Sequence, residues 1–82
     1  VNRVYDDAAL MGEAMKLAHE LASGPTVALS LIRKLYWDSP ENTFEDQLNL
    51  EYQLQRMAGR TSDFKEGVTA FLEKRPAKFT GK

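Results

Sequence analysis

Only the first five residues, VNRVY, alternate apolar and polar positions with β-branched side chains in the manner of a strand. A strand needs a partner for its backbone N–H and C=O groups, and nothing downstream offers one. From Asp6 onward every apolar run has helical spacing. The chain is therefore predicted to be all-α, with about four amphipathic helices preceded by one short strand. Its organisation reads as one unit over residues 1–82, with the strand at 1–5, helices across 6–75 and an extended tail at 76–82.

The helices follow from punctuation and period. Asp6 and Asp7 supply an N-cap candidate and favourable charge at a helix start, and Leu10, Ala14, Leu17 and Leu21 recur at steps of four, three and four. This predicts a helix over about residues 7–22. Gly24, in a left-handed closing conformation, and Pro25 are expected to stop it. The next run, PTVALSLIRKLYWD, has a narrow polar stripe of Thr26, Ser30, Arg33 and Lys34 on an otherwise apolar cylinder, so it should be covered on more than one side. Tyr36 and Trp37 add apolar bulk at its end.

Asn42 followed by Glu45 resembles a capping box for a third helix over about residues 43–58. Here Phe44, Leu48 and Tyr52 form one apolar stripe, and Leu50, Leu54, Met57 and Ala58 form another, with Gln47, Glu51 and Gln55 between them. The pattern fits either a wide core face with polar residues at its edge or a helix that packs in two directions. Ser62 is the expected cap of a fourth helix over about residues 63–75, stopped by Pro76. Gly67 lies on that helix's apolar face with Phe64, Val68, Phe71 and Leu72, where it suggests close approach of another backbone.

Composition narrows the function classes. A chain of 82 residues buries only about 60% of the surface its unfolded form exposes, so its own core should be thin. The formal charge of -1 is far from the basic surplus of a domain that binds nucleic acid by neutralising phosphates. No segment approaches the roughly 20 apolar residues of a membrane helix, and without cysteine neither disulfides nor a thiolate metal site is available. A cytoplasmic setting is expected. The first residue is Val1, which suggests a matured, trimmed or excised segment.

No catalytic constellation emerges. His19 has no second His or Cys at ligand spacing, no glycine-rich loop joins a strand to a helix, and Ser23, Ser30 and Ser62 have turn, stripe and cap explanations. Metal ligands and catalytic residues are assigned to no position. One pair invites a binding role: Phe71 and Lys74 are three apart, which puts a flat ring one turn before a cation. Such a pair suits a ligand with both a heteroaromatic face and a phosphate. The alternative is a core phenylalanine and a lysine that complements the helix C-terminus.

At this point the residues carry a resemblance. VNRVYDDAALMGEAMKLAHELASGPTVALSLIRK is similar to the segment that closes the core of the enoyl-CoA hydratase/isomerase (crotonase) family and begins its C-terminal helices. SDFKEGVTAFLEKRPAKFTGK resembles the same family's C-terminal signature, with Pro76 directly after Arg75. The stretch between them looks most like hydratases or the ring-epoxide isomerases of phenylacetate degradation. The resemblance implies an oligomerisation and CoA-side portion of an enzyme acting on acyl-CoA thioesters, with the oxyanion hole and catalytic acids elsewhere and no separate cofactor. It implies a homo-oligomer, a trimer or dimer of trimers, and it places CoA binding on Phe71 and Lys74. The isolated chain is then expected to be inactive and to self-associate. VNRVY becomes the last strand of a core, and the third helix faces two ways. A competing reading is a free-standing helical module that binds a partner protein through its apolar faces.

Overall fold

The computed structural model describes residues 1–82. Four α-helices follow one another: α1 (Asp7–Ala22), α2 (Thr26–Asp38), α3 (Phe44–Ala58) and α4 (Ser62–Glu73), with a 3₁₀ turn at Ser39–Glu41 between α2 and α3. Residues 1–6 have no regular structure, so VNRVY does not form the expected strand. The reason is the one its isolation implies: no second strand exists to take up its backbone groups.

The helix starts agree with the periodicity to within one residue, and the caps of α3 and α4 each move by one. Thr43, rather than Asn42, starts α3, its hydroxyl accepting the Asp46 amide at 3.1 Å. Asn42 instead donates its side-chain amide to Gln47 at 3.0 Å. Thr61, rather than Ser62, starts α4 by accepting the Phe64 amide at 3.0 Å. A β-branched threonine outside the helix keeps the extended backbone that an N-cap requires, with ψ of 164° at Thr43 and 154° at Thr61.

Gly24 is not left-handed; Ser23 closes α1 in a right-handed conformation, with its hydroxyl donating to the His19 carbonyl at 2.9 Å. What Gly24 provides is room: a Cβ there would lie 3.3 Å from both the Leu21 carbonyl oxygen and Leu29 Cδ1. At Gly67 the close neighbour is a ring, not a backbone, since a Cβ would meet Phe79 at 3.6 Å.

The assembly is a slab of 44 × 39 × 18 Å with a radius of gyration of 15.9 Å, against about 12 Å for a compact domain of this length. Helix α2 lies against α3 and, less extensively, against α1. Leu54 and Ala70 are the buried apolar residues. Of the two stripes of α3, Leu54 is buried and Leu50 and Ala58 half-buried, although Met57 on the same stripe is exposed; on the other, Phe44 (81% exposed) and Tyr52 (64%) are bare. On α2, Tyr36 and Trp37 are also bare. No helix is long and apolar enough to cross a membrane.

Candidate functional site

The C-terminal end of α4 holds both residues of the ring-and-cation pair, and it closes in an unusual way. Lys74 takes a left-handed conformation, φ 54° and ψ 43°, as the only non-glycine residue with positive φ. Its amide donates to the Phe71 carbonyl at 3.2 Å and the Arg75 amide donates to the Ala70 carbonyl at 3.0 Å, the double bond pattern that usually recruits glycine at the left-handed position. A lysine there carries a backbone cost of about 1 kcal/mol that glycine would avoid. The helix thus ends at Glu73, two residues earlier than the sequence suggests, and Pro76 merely follows.

Phe71 is 82% exposed and lines an open apolar cleft of about 380 Å3. The cleft runs from Pro25 and Ala28 at the start of α2 to Phe64, Val68 and Leu72 on α4, with Phe79 from the tail. Phe71 is therefore not a core residue within this chain, and Lys74, also exposed, sits past the helix end without lining the cleft.

The four cations near the C-terminus, Lys74, Arg75, Lys78 and Lys82, are sorted by their partners. Arg75 is committed: its Nη1 and Nη2 donate to Glu66 Oε1 and Oε2 at 2.7 and 3.1 Å, and its Nε donates to Glu73 Oε2 at 2.6 Å. The Arg75 guanidinium, followed by the Lys78 amide at 2.9 Å, holds the Glu66 carboxyl at a pKa of about 2, well below the usual carboxylate range. Glu66, and then Glu73, raise the Arg75 pKa in turn. Lys74 takes part in no ion pair, which leaves its ammonium open to an external anion.

Sequence reading did not single out the anchors of the tail. Asp63, buried to 3% exposure, accepts the Thr80 and Gly81 amides at 2.7 and 2.8 Å, while its own amide donates to the Lys82 carbonyl at 2.8 Å. The side chains of Lys78 and Lys82 are exposed, but their main chains are tied down. The available signal was Asp63 and Glu66 at i and i+3, which puts two carboxylates one turn apart on one face of α4. His19 is exposed, and no group of three or more His, Asp or Glu residues is arranged to hold a metal ion.

The profile of the enoyl-CoA hydratase/isomerase family matches residues 1–82. This chain belongs to that family. Among its relatives, the 1,2-epoxyphenylacetyl-CoA isomerase of Escherichia coli K12 is 48% identical over 98% of the chain and 30% of its own length. A probable enoyl-CoA hydratase of Rhodobacter capsulatus is 46% identical over 79% of the chain and 25% of its own length. Among solved structures, an enoyl-CoA hydratase from Geobacillus kaustophilus HTA426 superposes on the whole chain with a TM-score of 0.95 at 34% identity, using 31% of its length. The chain thus spans about a third or less of the proteins it matches. Its helices keep the arrangement of the helical C-terminal part of the crotonase fold.

Proposed function

We propose that this chain is the C-terminal portion of a crotonase-type enzyme acting on acyl-CoA thioesters, where it provides oligomerisation surface and one side of the CoA site. The observation that carries the reading is the 48% identity to an epoxyphenylacetyl-CoA isomerase along 98% of the chain and only 30% of that relative. The bare apolar faces support it physically. A soluble monomer rarely leaves Tyr36, Trp37, Phe44, Tyr52 and Phe71 uncovered together, and such surface marks an interface. In this reading one face of the slab packs on the enzyme's core and another on a neighbouring subunit.

Phe71 and Lys74 are the proposed CoA contacts, the ring packing near the adenine and the ammonium attracting a phosphate. The exposure of Phe71 and the unpaired Lys74 ammonium support that assignment. The chain contributes no catalytic residue in this scheme. Hydration or isomerisation of a thioester needs preorganised donors at the carbonyl oxygen and an acid or base within reach, and these would come from the rest of the enzyme. Among the reactions of the relatives, ring-epoxide isomerisation in phenylacetate degradation is favoured by the E. coli isomerase.

The test is turnover by the protein that contains this segment against a panel including crotonyl-CoA, 3-enoyl-CoA and 1,2-epoxyphenylacetyl-CoA. Epoxide isomerisation is the expected dominant activity, and no turnover on any thioester would overturn the assignment. The 82-residue chain alone is expected to be inactive.

A further inference from the structure

Lys74 is held in its costly left-handed conformation by more than its own helix. Glu73 and Arg75, the residues on either side of it, are bonded to each other at 2.6 Å through Glu73 Oε2 and Arg75 Nε. The same guanidinium is gripped by both oxygens of Glu66, two helical turns back, and its Nη1 also reaches the Pro76 carbonyl at 3.2 Å. Glu66 Oε1 then takes the Lys78 amide at 2.9 Å. One carboxylate thereby fixes the backbone on the far side of Lys74 at two points. A bidentate fork sets direction as well as distance, which a lysine in place of Arg75 could not do.

We propose that Glu66 is a positioning residue for Lys74: through Arg75 it locks the turn after α4 in the left-handed form that presents the Lys74 ammonium to a CoA phosphate. The inference rests on the CoA-side reading of Lys74. Glu66 itself touches no ligand in this arrangement, and its carboxylate charge is spent on Arg75 and the Lys78 amide. Asp63 holds the other end of the tail independently, through Thr80 and Gly81, so loss of the Glu66 clamp frees the turn without releasing the tail.

The experiment is a double-mutant cycle in the full-length enzyme, with KM and kcat measured for an acyl-CoA substrate. Glu66→Gln and Lys74→Ala are each expected to raise KM about two- to fivefold with kcat unchanged, the size of an exposed charge contact. Because Glu66 acts through Lys74, the double variant should be no worse than Lys74→Ala alone. Losses that multiply would overturn the positioning role while leaving the CoA contact intact; an unchanged KM in Lys74→Ala would instead overturn the CoA contact and the positioning role with it. Arg75→Lys, which keeps the charge but not the fork, is expected to reproduce Glu66→Gln and guards against a folding defect.

Discussion

The Asp63 carboxylate accepts the Gly81 amide at 2.8 Å, joining residues 18 positions apart and turning the C-terminal tail back along α4. The Thr80 amide shares the same carboxylate at 2.7 Å, so a buried charge is met by two fixed donors. Asp63→Ala removes both acceptors and opens those amides to water, at about 1 kcal/mol for each hydrogen bond lost. Urea unfolding should show the loss, and amide exchange at Thr80 and Gly81 should rise to unprotected rates. Unchanged protection at these two amides would contradict the latch.

Glu66 makes the tail sensitive to acid. Its folded pKa of about 2 lies below the ordinary 4.5, so folding favours the carboxylate form. The stabilisation is fully present above about pH 4.5, and it is lost as pH falls toward 2 because the unfolded chain then binds the proton first. The charged groups around it are Arg75, Glu73 across the same guanidinium, and Lys78. Thermal midpoints compared from pH 6 to pH 2 should fall more steeply for the unsubstituted chain than for Glu66→Gln, and parallel curves would rule out this origin.

Two glycines on the α4–tail contact should respond in opposite directions. At Gly67 an added methyl meets Phe79 at 3.6 Å, an ordinary contact, so Gly67→Ala should stabilise by up to about 1 kcal/mol through helix propensity. At Gly81 the backbone has φ of +79° and a Cβ would lie 2.9 Å from Thr26 Oγ1, so Gly81→Ala should destabilise. Denaturant midpoints of the two variants measure both signs.

Lys74→Gly separates binding from folding at one position. Relief of the left-handed lysine should add up to about 1 kcal/mol to stability, reduced by the freedom glycine gives the unfolded chain. On the proposed CoA-side reading of Lys74, affinity of the full-length protein for an acyl-CoA should fall in the same variant. Stability and affinity dropping together would mean that Lys74 serves the fold alone.

The bare stripe of Phe44, Leu48 and Tyr52 makes self-association the expected state of the isolated chain. Sedimentation should show species larger than the 9.3 kDa monomer. Replacing Phe44 and Tyr52 together by Glu should shift the distribution toward the monomer, and no shift would place the contact on another face.

The sequence by itself determined the four helices and their order, because spacing of Leu10, Ala14, Leu17 and Leu21, and of Phe64, Val68, Phe71 and Leu72, is a local property that any packing must respect. It also showed that α3 carries two apolar stripes. Which of these residues are covered within the chain was decided by the tertiary structure, because burial at Leu50 and Leu54 depends on which face of α3 its neighbours cover, and the period of the sequence does not say. Capping was legible in kind but not in register: Thr43 and Thr61 compete with adjacent Asn42 and Ser62, and only backbone geometry selects between neighbouring polar residues. The candidate site divided in the same way. Phe71 and Lys74 could be named from a local spacing, whereas the anchors Asp63 and Glu66 became visible only once the tail folded back to bring donors from residues 75–81 onto carboxylates that, in sequence, look like ordinary solvated helix charges.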